Sequence, residues 1–466
     1  MLLKKKNIIT FIVLLLIGSI VIISCSKDNS PVTDDTTNPP DPIDDGNPVG
    51  FQGEIDWVKT FGGSNIDQAV AIVKSNDNAY VVVGTTSSID GDIIDKNTTD
   101  SDYWILKISE TGVLLWNRTF GGSNDDVATN ISKTSDGGYI VSGYSRSNDG
   151  DVTGNEGFWD YWILKLNANG NKVWNKTFGF LGEDRAWDVF QTKDGGYFVT
   201  GFFDVTASGG AGNDGRIGGN RHGVGEYWAI KMDASGEYIW RRYFGGTNND
   251  RSYDALETSD GGFLLVGSSE SDDFDITDSK GSYDYWVVKV DAFGTKLWTK
   301  SYGGSEIDNG YAVTATADGN FIFVGDSRSA DQDVTNPIGN ADLWAVKFSG
   351  GGGIIWNRSF GGSQFDTARS IVSITNGNYL LAGATRSTDG DVSSNNGEND
   401  AWVVIMDANG TLVFEKTIGG SNFDFGEDAI LGHDDSTVLL VGNTESNDKD
   451  IPRFQGIKDL LIVKLK

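Results

Sequence analysis

The pattern of apolar and polar positions in this chain repeats seven times. Each repeat opens with a large apolar residue and a glycine corner, Phe-Gly-Gly-Ser-Asn in its most regular form. The openings are Phe61, Phe120, Phe178, Phe244, Tyr302, Phe360 and Ile418. Their spacing is 58 residues, except for 59 after the first and 66 after the third. A fixed period in this range indicates one supersecondary unit that is used repeatedly.

One complete repeat contains four short segments typical of β-strands and none with the periodicity of a helix. In the second repeat we predict strands at residues 127–134, 139–144, 160–167 and 172–178. Asp-Gly-Gly at 136–138 and Asn-Gly at 169–170 predict tight turns between them. The segment Trp162-Ile163-Leu164 is apolar on both faces, as a strand must be when its sheet lies between two others. Four such strands in under 60 residues predict one blade of a β-propeller.

The two ends of the chain predict how the ring of blades closes. Residues 54–61 have the pattern of a fourth strand with no blade before it, and residues 459–465 that of a third strand with nothing after it. Pairing them completes a seventh blade and removes the open edge between the first and last blades. We therefore predict an all-β fold: a single seven-bladed propeller over residues 51–466, closed by its N- and C-terminal strands.

Tryptophan marks the same two strands in almost every repeat, and 12 of the 14 tryptophans occupy repeat positions. The third strand contains Trp104, Trp162, Trp228, Trp286, Trp344 and Trp402, and the fourth contains Trp57, Trp116, Trp174, Trp240, Trp298 and Trp356. These side chains could serve as stacking platforms for sugars. Large aromatic residues dominate the energetics of protein cores, however, which favours packing between blades.

The order of these residues resembles a known repeat. Trp-x-x-x-Phe-Gly-Gly, then Asp, then Tyr-x-Val-x-Gly and Asp-x-Trp-x-x-Lys, is similar to the bacterial family of seven-bladed β-propeller repeats over nearly all of residues 54–466. The resemblance implies the fold and no defined activity. Residues 290–298, Val-Asp-Ala-Phe-Gly-Thr-Lys-Leu-Trp, also resemble the tryptophan-docking motif of quinoprotein dehydrogenases. Those enzymes have eight blades, and many hold their quinone beside vicinal cysteines. This chain has seven repeats and one cysteine, so pyrroloquinoline quinone is not expected.

The N-terminal segment predicts export and anchoring. Three lysines at positions 4–6 precede an apolar run that is short for a membrane span and ends at Cys25. Ile22-Ile23-Ser24-Cys25 resembles the lipobox of bacterial lipoproteins, which implies cleavage after residue 24 and lipid on Cys25. Residues 25–50 are rich in Pro, Asp, Thr and Asn and predict a disordered tether. Ser26-Lys27-Asp28 also resembles a surface-export signal, so we expect an outer-membrane lipoprotein on the cell surface of a Gram-negative bacterium, with the periplasmic face as the alternative.

The charge of the chain limits its partners. The formal net charge is −29, and loss of the leader with its three lysines would move it to about −32. Such a charge repels nucleic acid and anionic lipid head groups. We therefore expect no nucleic-acid partner, and membrane contact only through the lipid anchor.

Closely spaced acids in the long loops suggest calcium. The clearest pairs are separated by a glycine: Asp90 and Asp92, Asp149 and Asp151, and Asp389 and Asp391. Alternating Asp and Gly resembles the oxygen ligands of Ca²⁺ loops, although no loop has the full spacing with a distal Glu. The alternative is an Asx-turn, in which each Asp side chain bonds its own backbone.

A second set of acids stands six residues after each repeat opening. These are Asp67, Asp126, Asp184, Asp250, Asp308, Asp366 and Asp424. They could form a cation-binding ring at the mouth of the channel, or each could accept N–H groups at its own glycine corner. Seven identical copies favour the structural interpretation, because function usually breaks symmetry.

The largest departure from symmetry predicts the ligand site. The third repeat has extra residues in 208–225, which include Arg216, Arg221 and His222. A basic group in an acidic protein could hold a carboxylate of a glycan or a protein terminus. With two histidines on different blades, a histidine-based catalytic or zinc site has little to draw on. We predict a non-catalytic binding, adhesion or scaffold module; the alternative is a carboxylate-based glycosidase on the same face.

Overall fold

The computed structural model describes residues 48, 50–214 and 222–466. The predicted leader at residues 1–24, the predicted lipidation site Cys25 and almost all of the tether at residues 25–50 lie outside the described residues, as do Arg216 and Arg221. No helix within the described ranges has the length and hydropathy that a membrane crossing requires.

The described chain forms 28 strands in seven four-stranded antiparallel sheets, which are the blades of a propeller. Blade 1 consists of β2 (Asp67–Lys74), β3 (Ala79–Thr86), β4 (Asp102–Ser109) and β5 (Leu114–Phe120). Blade 2 consists of β6 (Asp126–Lys133), β7 (Tyr139–Ser145), β8 (Asp160–Leu166) and β9 (Lys172–Phe178). Blade 3 consists of β10 (Arg185–Gln191), β11 (Tyr197–Asp204), β12 (Val224–Met232) and β13 (Tyr238–Phe244). A short helix, α1 (Val205–Ser208), follows β11.

The next three blades repeat this arrangement. Blade 4 consists of β14 (Asp250–Glu257), β15 (Phe263–Ser269), β16 (Asp284–Val290) and β17 (Lys296–Tyr302). Blade 5 consists of β18 (Asp308–Ala315), β19 (Phe321–Ser327), β20 (Asp342–Phe348) and β21 (Ile354–Phe360). Blade 6 consists of β22 (Asp366–Ser373), β23 (Tyr379–Thr385), β24 (Asp400–Met406) and β25 (Leu412–Ile418). Blade 7 is β26 (Asp424–Leu431), β27 (Val438–Thr444), β28 (Asp459–Leu465) and β1 (Ile55–Phe61).

Blade 7 closes the ring with strands from both ends of the propeller. Strand β1 pairs antiparallel with β28, from Ile55 opposite Leu465 to Phe61 opposite Leu460. The predicted seven-bladed, all-β fold and its closure are therefore confirmed. The closure leaves no first or last blade, so every blade packs between two neighbours.

The hydrophobic cores lie between neighbouring blades. The core between blades 1 and 2 contains Val83 and Tyr103 from one blade and Ile131 and Trp162 from the other. The Tyr103 hydroxyl also donates a hydrogen bond to the carbonyl oxygen of Trp162 at 2.9 Å. All six third-strand tryptophans are fully buried at 0% exposure, so they pack blade against blade.

The fourth-strand tryptophans pack against a turn of the following blade. Trp240 of blade 3 lies so close to Gly294 of blade 4 that a Cβ atom on Gly294 would stand 2.9 Å from the ring. The Trp240 indole N–H donates to the carbonyl oxygen of Ala292 at 3.1 Å. This contact explains why the turn has glycine and the strand has tryptophan at a fixed spacing.

The connections form two different faces. The glycine corners and the loops between second and third strands open on one side, which we call the long-loop face. The remaining connections are tight turns on the opposite side, the tight-turn face. The first strand of each blade lies at the edge of its sheet and contacts the first strands of both neighbouring blades. These inner strands therefore line a central channel and run into it from the long-loop face.

Candidate functional site

The repeated corner aspartates are buried in the long-loop face. All seven have 0% exposure. The Asp308 carboxylate accepts the Gly304 backbone N–H at 2.7 Å and the Ser329 hydroxyl at 2.9 Å, and it also accepts the Ser327 hydroxyl. At every other corner the same carboxylate oxygen accepts the equivalent backbone N–H at 2.7–2.8 Å. These carboxylates therefore tie the corner of one repeat to the end of its second strand.

The third corner is the exception to this pattern. Asp184 accepts the backbone N–H groups of Phe180 at 2.7 Å and Asp204 at 3.0 Å, and it has no Ser or Thr donor. Burial raises the pKa of Asp184 to about 8. At the next corner Asp250, which accepts the Ser269 and Ser271 hydroxyls, burial raises the pKa only to about 6. The hydroxyl donors stabilise the ionised form at a regular corner.

The paired loop acids bind the backbone of the same corners. Asp90 accepts the Ser64 N–H at 2.7 Å and Asp92 accepts the Gly62 N–H at 3.1 Å. In the other two pairs, Asp149 and Asp389 accept the N–H groups of Ser123 and Ser363, Asp391 accepts that of Gly361, and Asp151 accepts the Lys172 ammonium. The residue between the two acids adopts positive φ, including Gly91 at 68° and Gly390 at 68°. Among the described residues, no group of three or more His, Cys, Asp or Glu side chains could hold a metal ion.

His222 lies inside the fold, although the sequence places it in an exposed insertion. It is 5% exposed, and its Nδ1 atom is 3.1 Å from Oε2 of Glu226, which is fully buried. Its ring stacks on Phe274 of blade 4 with centroids 4.8 Å apart. Burial raises the pKa of Glu226 to about 10. The His222 imidazole therefore contacts Glu226 and Phe274 inside the fold and is not presented to a ligand at the surface. Arg216 and Arg221, the other two predicted ligand residues, lie outside the described residues.

A different set of side chains breaks the symmetry inside the channel. Every inner strand has a β-bulge three residues after the corner Asp, where the pairing register with the second strand shifts. We call these positions the bulge column. Its members are Val70, Thr129, Trp187, Tyr253, Tyr311, Arg369 and Glu427. A bulge turns a side chain away from the ladder and is often found beside functional sites.

Consecutive members of the bulge column touch across blade boundaries. The rings of Trp187 and Tyr253 are 5.3 Å apart, as are those of Tyr253 and Tyr311. The Arg369 guanidinium lies 4.0 Å from the centre of the Tyr311 ring. Each of these positions is three residues into its strand, so the arc lies roughly 10 Å below the corners. Blades 3 to 6 thus form a continuous aromatic and cationic wall.

Arg369 projects into the channel, so it is solvent-exposed even though protein surrounds it. No carboxylate of the described residues comes within 4.0 Å of its nitrogens. Burial acts to lower the pKa of Arg369, but Tyr311, Glu427 and Asp326 outweigh it and raise this pKa above its ordinary value. Arg369 is therefore a permanent positive charge on the wall of the channel.

An aromatic cluster joins this arc to the long-loop face. Tyr144 of β7 lies 6.4 Å from Trp187 and 5.0 Å from Trp159, measured between ring centroids. The Arg185 guanidinium lies 4.9 Å from the Tyr144 ring centre. Phe158, which is 49% exposed, ends the series on the surface. We call Phe158, Trp159, Tyr144 and Arg185 the face cluster.

Sequence analysis missed both the arc and the face cluster, although a signal was present. Neither the insertion nor the acid pairs, on which the predicted sites rested, includes these residues. Aligning the inner strands shows one position with six residue types in seven copies, three residues after an invariant Asp. In a repeat protein, such variation at a single position marks a side chain that the fold does not require.

Comparison with known proteins leaves the function of this chain open. No family model matches this chain. Over 169 residues the chain is 25% identical to the regulatory protein FlaEY of Caulobacter vibrioides, a match that covers 33% of this chain and 17% of that protein. The chain thus aligns with only a small part of this curated relative.

Several solved structures resemble the chain at low identity. The WD40 domain of Neurospora crassa Pan2 is 8% identical with a TM-score of 0.46, and the match covers 88% of this chain and 96% of that one. BamB from Moraxella catarrhalis is 11% identical with a TM-score of 0.39, covering 86% and 99%. A protein of unknown function from Bacteroides caccae is 12% identical with a TM-score of 0.40, covering 69% and 94%. At this similarity no activity transfers to the chain.

Proposed function

We propose that this chain is a non-catalytic glycan-binding module on the surface of a Gram-negative bacterium, held to the outer membrane by lipid on Cys25. The binding site is the face cluster, where blades 2 and 3 meet on the long-loop face. A β-propeller suits such a role because its rigid strands position the loops that bind ligands.

The face cluster is the observation that supports this proposal. Phe158 offers an exposed ring, and Trp159 and Tyr144 continue it inward. The Arg146 guanidinium lies 4.4 Å from the centre of the Phe158 ring and adds hydrogen-bond donors beside it. Flat apolar rings bordered by a few polar groups are typical of small-ligand sites. A sugar ring matches this combination, because it has an apolar face and a rim of hydroxyl groups.

The acids and histidines of the described chain favour binding over catalysis. His222 is buried beside Glu226, and His433 lies on the tight-turn face with Nε2 3.0 Å from the Ala79 carbonyl oxygen. A glycosidase needs two carboxyl groups roughly 5–9.5 Å apart that face the substrate. The loop acids instead accept backbone N–H groups of the corners, as Asp90 and Asp92 do.

A glycan array tests the proposal directly. The mature chain would be screened with and without EDTA, alongside Phe158→Ala and the control Phe293→Ala, whose ring is 75% exposed on the tight-turn face. We expect Phe158→Ala to weaken binding at least tenfold and Phe293→Ala to leave it unchanged. An Arg216→Ala, Arg221→Ala double variant measures the contribution of the insertion. Loss of binding in EDTA would support calcium in the long loops.

Three outcomes would contradict the proposal. Equal binding by the Phe158→Ala and wild-type proteins would place the site elsewhere. Hydrolysis of a bound glycan by the purified chain would support the glycosidase alternative. For anchoring, we expect a Cys25→Ser variant to leave the membrane fraction, and membrane retention of that variant would exclude the lipid anchor.

A further inference from the structure

We propose that the channel contains a subsite for a carboxylate-bearing sugar residue, in which Arg369 binds the carboxylate and Trp187, Tyr253 and Tyr311 form the wall against the sugar ring. The ligand class rests on the function proposed above, since the subsite receives the end of a glycan that enters through the face cluster. The geometry of the bulge column supports the subsite independently.

The backbone of the column is the same in all blades, so its side chains are not explained by the fold. All seven inner strands have the bulge, whether its residue is Val70 or Trp187. Blades 1 and 2 have the small residues Val70 and Thr129, whereas blades 3 to 6 have three aromatic residues and an arginine. The propeller therefore closes equally well without large side chains here. Their concentration on one side of the channel needs another reason, and a ligand supplies it.

The arrangement of Arg369 suits a single carboxylate. Its guanidinium is held over Tyr311 at 4.0 Å, which orients it without consuming its hydrogen-bond donors in an ion pair. A guanidinium can donate two parallel hydrogen bonds to a carboxylate. Because Arg369 is exposed, a ligand in solution can reach its guanidinium.

The neighbouring acids determine how much negative charge the subsite tolerates. Asp326 accepts the Thr367 hydroxyl at 3.1 Å, and Glu427 accepts the Asn443 amide at 3.2 Å. Burial raises the pKa of both carboxyl groups, while Arg369 acts to lower it. Asp254, one residue beyond the column, accepts the Val313 N–H at 2.8 Å. These carboxyl groups repel a multiply charged anion more strongly than a monoanion. The single negative charge of a monoanion can be balanced by the one guanidinium.

The aromatic wall fits a ring better than an extended chain. The planes of Trp187 and Tyr253 meet at 66°, and those of Tyr253 and Tyr311 at 58°. All three side chains are partly exposed, so their faces border the channel. A sugar ring about the size of these side chains can contact one face while its carboxylate reaches Arg369.

The experiment uses monosaccharide probes that differ in one group. Galacturonic and glucuronic acids would be titrated against the mature chain beside galactose, glucose and inorganic phosphate, with intrinsic tryptophan fluorescence as the readout. The variants are Arg369→Gln, Arg369→Lys and the control Arg358→Gln, whose guanidinium also lies over an aromatic ring but on the outer strand β21. Thermal melting checks that each variant folds.

We expect at least one of the acids to bind about tenfold tighter than its neutral counterpart. Arg369→Gln should abolish that preference without changing neutral-sugar affinity, Arg369→Lys should retain part of it, and Arg358→Gln should behave as wild type. Binding of phosphate as tight as that of the acids, or an unchanged preference in Arg369→Gln, would overturn the subsite. The absence of any acid binding to the wild type would also overturn it. If Phe158→Ala still weakens glycan binding in those cases, the proposed function stands without the subsite.

Discussion

Two positions of the inner strands, three residues apart, follow opposite rules. The corner position is Asp in all seven repeats, whereas the bulge column contains six residue types in seven copies. Each position occurs once per blade and has nearly the same backbone in all seven copies. The difference in variability therefore reflects what the side chain at each position touches.

The corner side chain accepts hydrogen bonds that hold the backbone of the fold, whereas the bulge side chain contacts other side chains of the column. Asp308 accepts a backbone N–H and two hydroxyl groups in a buried site, so any replacement leaves donors without an acceptor. Tyr311 is partly exposed on the inner strand β18, and its ring contacts Tyr253 and Arg369 of the bulge column. The residue type is thus the same in every repeat where the fold needs a particular side chain. It varies between repeats at the position that borders the open channel.

The largest expected effect comes from removing a corner carboxylate. Asp308→Ala should lower the free energy of unfolding by about 3 kcal/mol, because the Gly304 N–H and two hydroxyl groups lose a buried acceptor. Urea denaturation measures this change. The matched variant in the same strand, Tyr311→Thr, introduces the residue type of Thr129 and should change stability by less than about 1 kcal/mol. Equal losses in the two variants would remove the distinction between the positions.

A smaller effect is expected from pH, and it separates the third corner from the others. The pKa of Asp184 is about 8 in the fold and 3.8 in the reference state. The protonated carboxyl therefore adds stability that is fully present below the reference pKa and is lost as pH rises through about 8. From pH 6 to 8.5 we expect the titration of Asp184 alone to lower the free energy of unfolding by about 2.5 kcal/mol, since each pH unit below the folded pKa corresponds to about 1.4 kcal/mol.

The Asp184→Asn variant should lose the part of this pH dependence that Asp184 contributes, because the amide stays neutral throughout. The part contributed by Glu226, whose pKa is about 10 in the fold, remains in both proteins. Asp250→Asn is the control: with a pKa of about 6 in the fold, Asp250 should affect stability at lower pH and leave the slope above pH 7 unchanged. Melting temperatures across this range measure both. A wild-type stability that is flat or rising between pH 6 and 8.5 would contradict the account.

The smallest effect concerns the turn glycines that contact tryptophan. Gly294 and Gly261 have φ of 75° and 79°, so alanine strains the backbone at both positions. Only at Gly294 would the new methyl group also stand 2.9 Å from the Trp240 ring, whereas nothing lies within 4 Å of it at Gly261. Gly294→Ala should therefore cost about 1 kcal/mol more than Gly261→Ala in urea denaturation. Equal costs would mean that the turn moves to accommodate the methyl group.

Local patterns predicted the elements accurately because each is repeated seven times. In blade 2 the predicted strand 172–178 has the bounds of β9, and the prediction 127–134 differs from β6 by one residue at each end. The half-blades at the two ends identified the pairing of β1 with β28 across the whole chain. The short helix α1 was not predicted, because it leads into the one insertion that has no second copy.

Candidate functional residues were harder to predict, since one residue type can serve the fold or a ligand. The acid pairs suggested calcium or a turn, and Asp90 and Asp389 accept N–H groups of a corner 26 residues earlier. His222 suggested a surface ligand, yet it is buried between Glu226 and Phe274. Glu226 is only four residues from His222 in sequence, but the corner that binds the acid pairs and the Phe274 ring are 26 or more residues away, where no short motif could reveal them.

The sequence by itself determined the number of blades, their strands, the invariant corners and the closure, because these depend on alternation, turn residues and the repeat period. Only the tertiary structure decided which side chains face the channel. The bulge turns Trp187, Tyr253, Tyr311 and Arg369 away from the ladder. Closure of the ring then brings residues about 60 positions apart into contact. That contact exists only when seven blades surround a common axis, which no single repeat encodes.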